Sequence, residues 1–155
     1  MSGELRQLYQ EMILDHARHP RNSRRLERPS CSALGHNPLC GDRLELFLRL
    51  EQGRIVEAAF EGSGCAISLA SASLLTEAVR GLALEEAESL GRSFRAILGG
   101  EQPAAPERAR LGKLEVLLGV REFPVRVKCA TLAWHTLRAA LAREDHPVST
   151  EADIR

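Results

Sequence analysis

Between Asp42 and Leu50 the chain reads DRLELFLRL, with Leu44, Leu46, Leu48 and Leu50 alternating with Arg43, Glu45, Phe47 and Arg49. A period of two marks a strand with one buried face, because successive side chains point to opposite sides. Gly53 marks a turn and Arg54–Phe60 a second strand, so the pair predicts a hairpin. A short first strand over Ser32–Gly35 is weakly signalled. The other apolar patterns are helical. Leu5, Leu8, Tyr9, Met12 and Ile13 recur at helical spacing, and Pro20 ends that run. After a Gly62-Ser63-Gly64 loop, Ile67, Ala70, Leu74, Leu75, Ala78 and Val79 form a second stripe, closed by Gly81. Leu84, Ala87, Leu90, Phe94, Ile97 and Leu98 form a third, closed by Gly99-Gly100. Residues 101–110, with Pro103 and Pro106, read as an exposed loop, and Leu111–Leu118 as a short helix before Gly119. Pro124 precedes a last helix that turns Val127, Ala130, Thr131, Trp134, Leu137 and Leu141 inward. The tail, about residues 145–155, is expected to fray. Strands first and helices after predict an α+β fold, a small three-stranded antiparallel sheet packed against helices.

The length of 155 residues fits a single domain, here residues 1–155, large enough to bury its own core. The 21 basic and 21 acidic residues cancel to a net charge of 0, so no nucleic-acid partner is implied. The longest uncharged stretch, Gly62–Thr76, is shorter than the roughly 20 apolar residues of a spanning helix. The N-terminal residues carry Glu4, Arg6 and Glu11 and no apolar signal region, so a cytoplasmic location without membrane contact is expected. Charge is uneven in one place: between Arg18 and Arg28 five arginines face the single acid Glu27. That stretch is either a solvated basic loop or a docking patch for an acidic partner.

The chain has 4 cysteines, Cys31, Cys40, Cys65 and Cys129, too few for a disulfide scaffold and without a CxxC. Cys40-Gly41-Asp42 sits where a loop enters a strand. In extended chain, residues two apart point the same way, so this thiol and carboxylate can face one point. Cys65 opens a helix after the glycine loop, and Cys129 is placed in the first turn of the last helix. A helix N-terminus favours thiolate by about 0.3–1 kcal/mol. If Cys40, Asp42, Cys65 and Cys129 converge, three sulfurs and one oxygen suit zinc or an iron–sulfur centre, and suit calcium or magnesium poorly. The alternative is that these cysteines are small buried hydrophobes, and for Cys31, which has no special setting, that reading is preferred.

Three segments make the sequence recognisable. NPLCGDRLEL around Cys40, EGSGCAISLASASLLTEAV around Cys65 and RVKCATLAWHTL around Cys129 resemble the U-type iron–sulfur cluster assembly family, comprising the NifU N-terminal domain, IscU and SufU. The resemblance runs from LYQEMILDHARHPRN to the last helix. It implies a SufE/NifU-like fold with one metal site, formed by Cys40, Asp42, Cys65 and Cys129, at an exposed end. Within the family the chain looks like the SufU branch. The IscU branch carries a His just before its third cysteine, where this chain has Lys128, and the segment near residues 99–118 is longer here. The implied function is iron–sulfur cluster biogenesis by a zinc-bound sulfur carrier. It would take persulfide sulfur from a PLP-dependent cysteine desulfurase of the SufS type and pass it to a downstream scaffold or apo-protein acceptor. Cys40 would be the acceptor thiol, with a desulfurase His replacing it on zinc. Such a protein is at most a zinc-dependent sulfurtransferase acting with its desulfurase, not a free-standing enzyme. The alternative is a scaffold on which a [2Fe–2S] cluster is assembled from iron and sulfide.

Other residues have open roles. His135, on the same helix as Cys129, falls on a different side and is read as structural. His16 and His19 end the first helix, and His36 precedes Cys40 closely enough to support a ligand. Arg126 and Lys128 flank Cys129 and either stabilise its thiolate, contact the desulfurase, or are plain surface charge. No GxSxG, P-loop or dinucleotide fingerprint is present.

Overall fold

The structure, a computed structural model, describes residues 3–151. Helix α1 (Gly3–Arg18) is followed by strands β1 (Cys31–Asn37), β2 (Asp42–Glu51) and β3 (Arg54–Ser63). Helices α2 (Ala66–Val79), α3 (Leu84–Leu98), α4 (Ala105–Arg110) and α5 (Pro124–Leu141) come after, with a 3₁₀ segment, Gly112–Glu122, before α5. The sheet is antiparallel in the order β1-β2-β3, so the α+β expectation holds. Leu44, Leu46 and Leu48 are buried as the alternation requires. Leu50 is only half-buried, because a bulge between Arg49 and Leu50 shifts the register before the turn.

The helices cover one face of the sheet. Helix α2 packs on α1, β3 and α5, and α5 packs on β1, β2 and α3. Alanines at 130, 133, 139 and 140 of α5 are fully or nearly fully buried, letting that helix lie close to its neighbours. Trp134 stacks at a tilt on Phe94, with centroids 4.9 Å apart. Its indole N–H donates to Ser71 Oγ at 3.2 Å, and Ser71 donates to Ala130 O at 2.6 Å. The one polar atom of the largest core side chain is thus satisfied.

The opposite face is covered as well, by a segment the sequence suggested was either solvated or partner-facing. Leu26 packs with Phe47 and Ala59 in a second small cluster, and the Arg25 guanidinium lies 4.8 Å from the Phe47 ring centre. Arg24 pairs with Glu57 at 3.2 Å, Arg25 with Glu45 at 3.3 Å and Glu61 at 3.2 Å, and Arg21 with Asp15 at 2.7 Å. These arginines meet acids of their own chain. Asn22 O accepts from Phe60 N at 3.0 Å, which satisfies part of the open edge of β3.

Three local expectations differ from the structure. The first strand is longer, because it is fixed by pairing from Cys31↔Leu48 to Asn37↔Asp42 and not by its own composition. Residues 105–110 form α4, with Pro106 at its first turn, where a missing N–H costs nothing. The segment expected as a short helix over Leu111–Leu118 is 3₁₀ and extends to Glu122. Val148 bridges Gly35, donating to Leu34 O and accepting from His36 N at 2.9 Å each, so the outer edge of β1 is occupied rather than bare. Of the tail expected to fray from about residue 145, residues 145–151 are described and carry these bonds at Val148, and residues 152–155 lie outside the described residues.

His135 is half-buried beside Arg95, whose Nη1 is 3.4 Å from its Nδ1. Burial first, then the Arg95 and Arg138 charges, lower its pKa to about 4. The unfolded chain, with His near 6.5, therefore binds the proton more readily than the folded one. Stability contributed by neutral His135 is present above pH 6.5 and is lost as pH falls towards 4. His135→Gln is expected to flatten that part of a stability–pH curve measured by urea unfolding. An unchanged slope between pH 6.5 and 4 would contradict the assignment.

Candidate metal centre

The four-residue turn between β1 and β2 carries Cys40. Asn37 O accepts from Gly41 N at 2.9 Å, and Gly41 has φ 76, a value that favours glycine. The turn delivers Cys40 and Asp42 to the same end of the sheet as expected, but through the left-handed backbone of Gly41 and not through the extended chain that the i, i+2 argument assumed. The Sγ of Cys40, a carboxylate oxygen of Asp42 and the Sγ of Cys129 all lie within 4.8 Å of one another. Asp42 is fully buried, and its Oδ1 accepts from Cys65 N at 3.0 Å. Its Oδ2 is buried with no hydrogen-bond partner. A buried carboxylate oxygen left unpaired is costly unless a cation takes it.

Cys65 is the N-cap of α2, and its Sγ accepts from Ser68 N at 3.4 Å. It stands beside Cys129 but is not one of the three donors that share the 4.8 Å spacing. Gly64 makes this approach feasible. Its φ is 152, and a Cβ there would lie 2.4 Å from Asp42 Oδ1. Gly64→Ala is expected to cost about 1–3 kcal/mol, a melting temperature lower by roughly 2–4 °C per kcal/mol. A thermal melt matching the parent chain would show that the loop tolerates a side chain.

Cys129 is deeper in its helix than the sequence suggested. It is the sixth residue of α5, not in the first turn, and is buried. Burial, then Asp42 and Cys65, push its thiol pKa far up instead of down. Burial and then Glu151 also raise Cys40. The helix-end argument for thiolate thus fails at Cys129. A nearby divalent cation is what would deprotonate thiols in this setting. Arg126, exposed at the start of α5, reaches Cys129 and Cys65. Its own pKa is raised first by its hydrogen bond to Cys129, then by the Cys65 charge.

Residues 8–144 match the NifU-like N terminal domain family. The chain belongs to that family. It is 40% identical over 144 residues to the zinc-dependent sulfurtransferase SufU of Bacillus subtilis, covering 93% of this chain and 96% of the relative. It is 39% identical over 141 residues to the iron-sulfur cluster assembly scaffold protein IscU of Streptococcus pyogenes, covering 91% of this chain and 87% of that one. Its structure superposes with TM-score 0.81 and 31% identity on an iron-sulfur cluster assembly scaffold protein for the SUF system from Fervidobacterium islandicum AW-1, covering 87% and 97% of the two chains. The SufE/NifU-like architecture expected from the motifs is therefore the observed one.

In this NifU-like domain two further residues stand at the site, Asn37, which opens the NPLCGDRLEL motif without being singled out by it, and Glu151, which lies in no motif. Asn37 is fully buried, accepting from Ser149 Oγ at 2.8 Å and Thr150 N at 2.9 Å through Oδ1. Glu151 is 5% exposed and accepts from the amides of Leu39 at 3.0 Å and Cys40 at 3.2 Å. Burial pushes its pKa up, but these bonds and the Lys128 charge outweigh that and hold it below the ordinary value. The histidines lie elsewhere or make other contacts. His16 is buried with Nδ1 2.8 Å from Ser73 Oγ, His135 meets Arg95, and His36 is half-buried in β1. Cys31, also in β1, is half-buried against the core, where burial raises its pKa, in keeping with a packing role.

Proposed function

We propose that this chain serves iron–sulfur cluster biogenesis as a zinc-dependent sulfur carrier. The observation that carries the reading is the Asp42 carboxylate, gathered with the thiols of Cys40 and Cys129 and with its Oδ2 buried and unpartnered. Soft sulfur donors with one carboxylate fit zinc and fit an all-oxygen cation poorly. The residues that would hold the metal are Cys40, Asp42, Cys65 and Cys129, and zinc, when bound, would keep their thiols deprotonated.

The transfer chemistry belongs to Cys40. As a thiolate it attacks the terminal sulfur of a persulfide on the partner's cysteine. A bond forms between Cys40 Sγ and that sulfur while the partner's S–S bond breaks, and the electron pair leaves with the partner's cysteine as thiolate. No oxidant or reductant is consumed. Cys40 suits this step because it sits in a turn, half-buried, whereas Cys65 caps α2 and Cys129 is enclosed within α5. Leu39 at 72% exposure, Phe123 at 59% and Val125 at 62% supply exposed apolar surface in the segments bearing Cys40 and Cys129. The partner proposed for that surface is a PLP-dependent cysteine desulfurase of the SufS type, and the sulfur would pass to a downstream cluster scaffold or apo-protein. No helix among the described residues is long and apolar enough to cross a membrane, and the proposed place of action is the cytoplasm, where thiols stay reduced.

Metal analysis of the purified protein, coupled to a desulfurase turnover assay with and without it, tests the reading. Zinc at about one per chain, as a single tetrahedral site requires, and stimulated turnover are expected. Iron with sulfide in place of zinc would move the assignment to the scaffold role named for the IscU relatives.

A further inference from the structure

The polar C-terminal segment is attached to the metal centre at both of its sides. Val148 runs along β1 through two backbone hydrogen bonds of 2.9 Å. Thr150 donates to Lys128 O at 2.8 Å, immediately before Cys129, and accepts from Asn37 Nδ2 at 2.6 Å. Asn37 itself starts the Cys40 turn, and Ser149 and Thr150 both donate to its Oδ1. Ser149 Oγ also accepts from Glu151 N at 3.0 Å, which orients the last described residue. Glu151 then places its two carboxylate oxygens on the two consecutive amides of Leu39 and Cys40. A carboxylate receiving two amide N–H groups makes charge-assisted bonds, stronger than neutral ones. At 5% exposure these are shielded from competing water.

We propose that residues 148–151 form a strap over the metal centre and that Glu151 is the positioning residue that sets how readily Cys40 leaves it. The proposal rests on the reading of Cys40 as the mobile acceptor. Holding the backbone on either side of the Leu39–Cys40 peptide keeps Cys40 Sγ towards Asp42 and Cys129. Outward movement of the Leu39–Cys40 backbone, which would carry the thiol furthest from the site, breaks at least one of the two amide bonds. The strap therefore opposes premature exposure of the nucleophile, and a partner that displaces Glu151 frees it. Cys65 and Cys129 are held by their helices and do not depend on this carboxylate.

The test is the rate of iodoacetamide labelling at each cysteine of the full-length, zinc-loaded protein, resolved by peptide mass spectrometry. Glu151→Ala is expected to speed labelling of Cys40 about tenfold, the scale of losing a charge-assisted hydrogen bond, and to leave Cys65 and Cys129 unchanged. Glu151→Gln removes the charge but keeps one acceptor oxygen, so its Cys40 rate is expected between the other two. Equal acceleration in the Ala and Gln variants would mean that charge acts on the thiol and position does not. Acceleration at all three cysteines would mean general loosening. Either result, or no change at Cys40, overturns the proposal, and the Gln variant keeps the test open if the Ala variant folds poorly. Wild-type protein assayed beside them for desulfurase stimulation separates the two readings, since its failure there would remove the carrier function while the labelling rates still decide the strap.

Discussion

A Cys40→Ala protein is expected to fold normally and to leave desulfurase turnover at its unstimulated rate. The side chain removed lies in a turn and belongs to neither hydrophobic cluster. The amide of residue 40 can still donate to Glu151, and Gly41 N can still reach Asn37 O. In the metal-free chain the stability change is therefore expected within about 0.5 kcal/mol, the range for a site without core packing. The functional loss is complete because the step is covalent: without Sγ no sulfur can be accepted, whatever the docking affinity. Cys31→Ala is the matched control, a cysteine of the same chain placed against the core and away from the three-donor group, and it should stimulate as the parent does. Cys65→Ala and Cys129→Ala should instead lose bound zinc. Stimulation by Cys40→Ala at the parental level would refute the acceptor role.

The parts of this site that the sequence made legible are those whose geometry is local. Cys40 and Asp42 are two residues apart with a glycine between them, so they stay neighbours even though a tight turn and not an extended strand joins them, and Cys65 caps α2 because a glycine loop precedes an apolar helical stripe. Long-range packing sets the rest. Cys129 was misplaced by a turn of helix, since Pro124 marks where α5 begins but not how deeply its sixth residue is buried. The role of Phe47 was hidden because period two assigned it to the solvent face, which Leu26 and Arg25 cover from a distant segment. Glu151 and Asn37 are the clearest case. An acid in a polar tail has no pattern that predicts 5% exposure; Glu151 is held there by the amides of Leu39 and Cys40, after Ser149 and Thr150 have bound Asn37. The same contrast holds for the fold. Strands β2 and β3 announce themselves by alternation, whereas β1, reading CSALGHN, acquires its length from pairing with β2.

Removing the metal is expected to lower the melting temperature by roughly 10 °C while leaving one cooperative transition. Free zinc a thousandfold above its dissociation constant stabilises a folded state by about 4 kcal/mol, and a domain of this size loses roughly 2–4 °C per kcal/mol. The loss arises at one end of the molecule. There the chelated protein keeps Asp42 Oδ2 buried and unpaired, beside two thiols that burial holds protonated. The core is independent of it. Trp134, Phe94, Phe60 and the leucines of β2 pack between sheet and helices without using a metal ligand. This separates the chain from a zinc finger, whose folding draws on about 10–16 kcal/mol of metal binding. Because the ligands must be deprotonated, the metal-dependent part of the stability should shrink as pH falls, and the metal-free protein should lack that component. Differential scanning calorimetry of zinc-loaded and chelated protein decides the matter: a chelated chain without a cooperative melt would make the metal part of the fold, and identical melts would mean that no metal is held there.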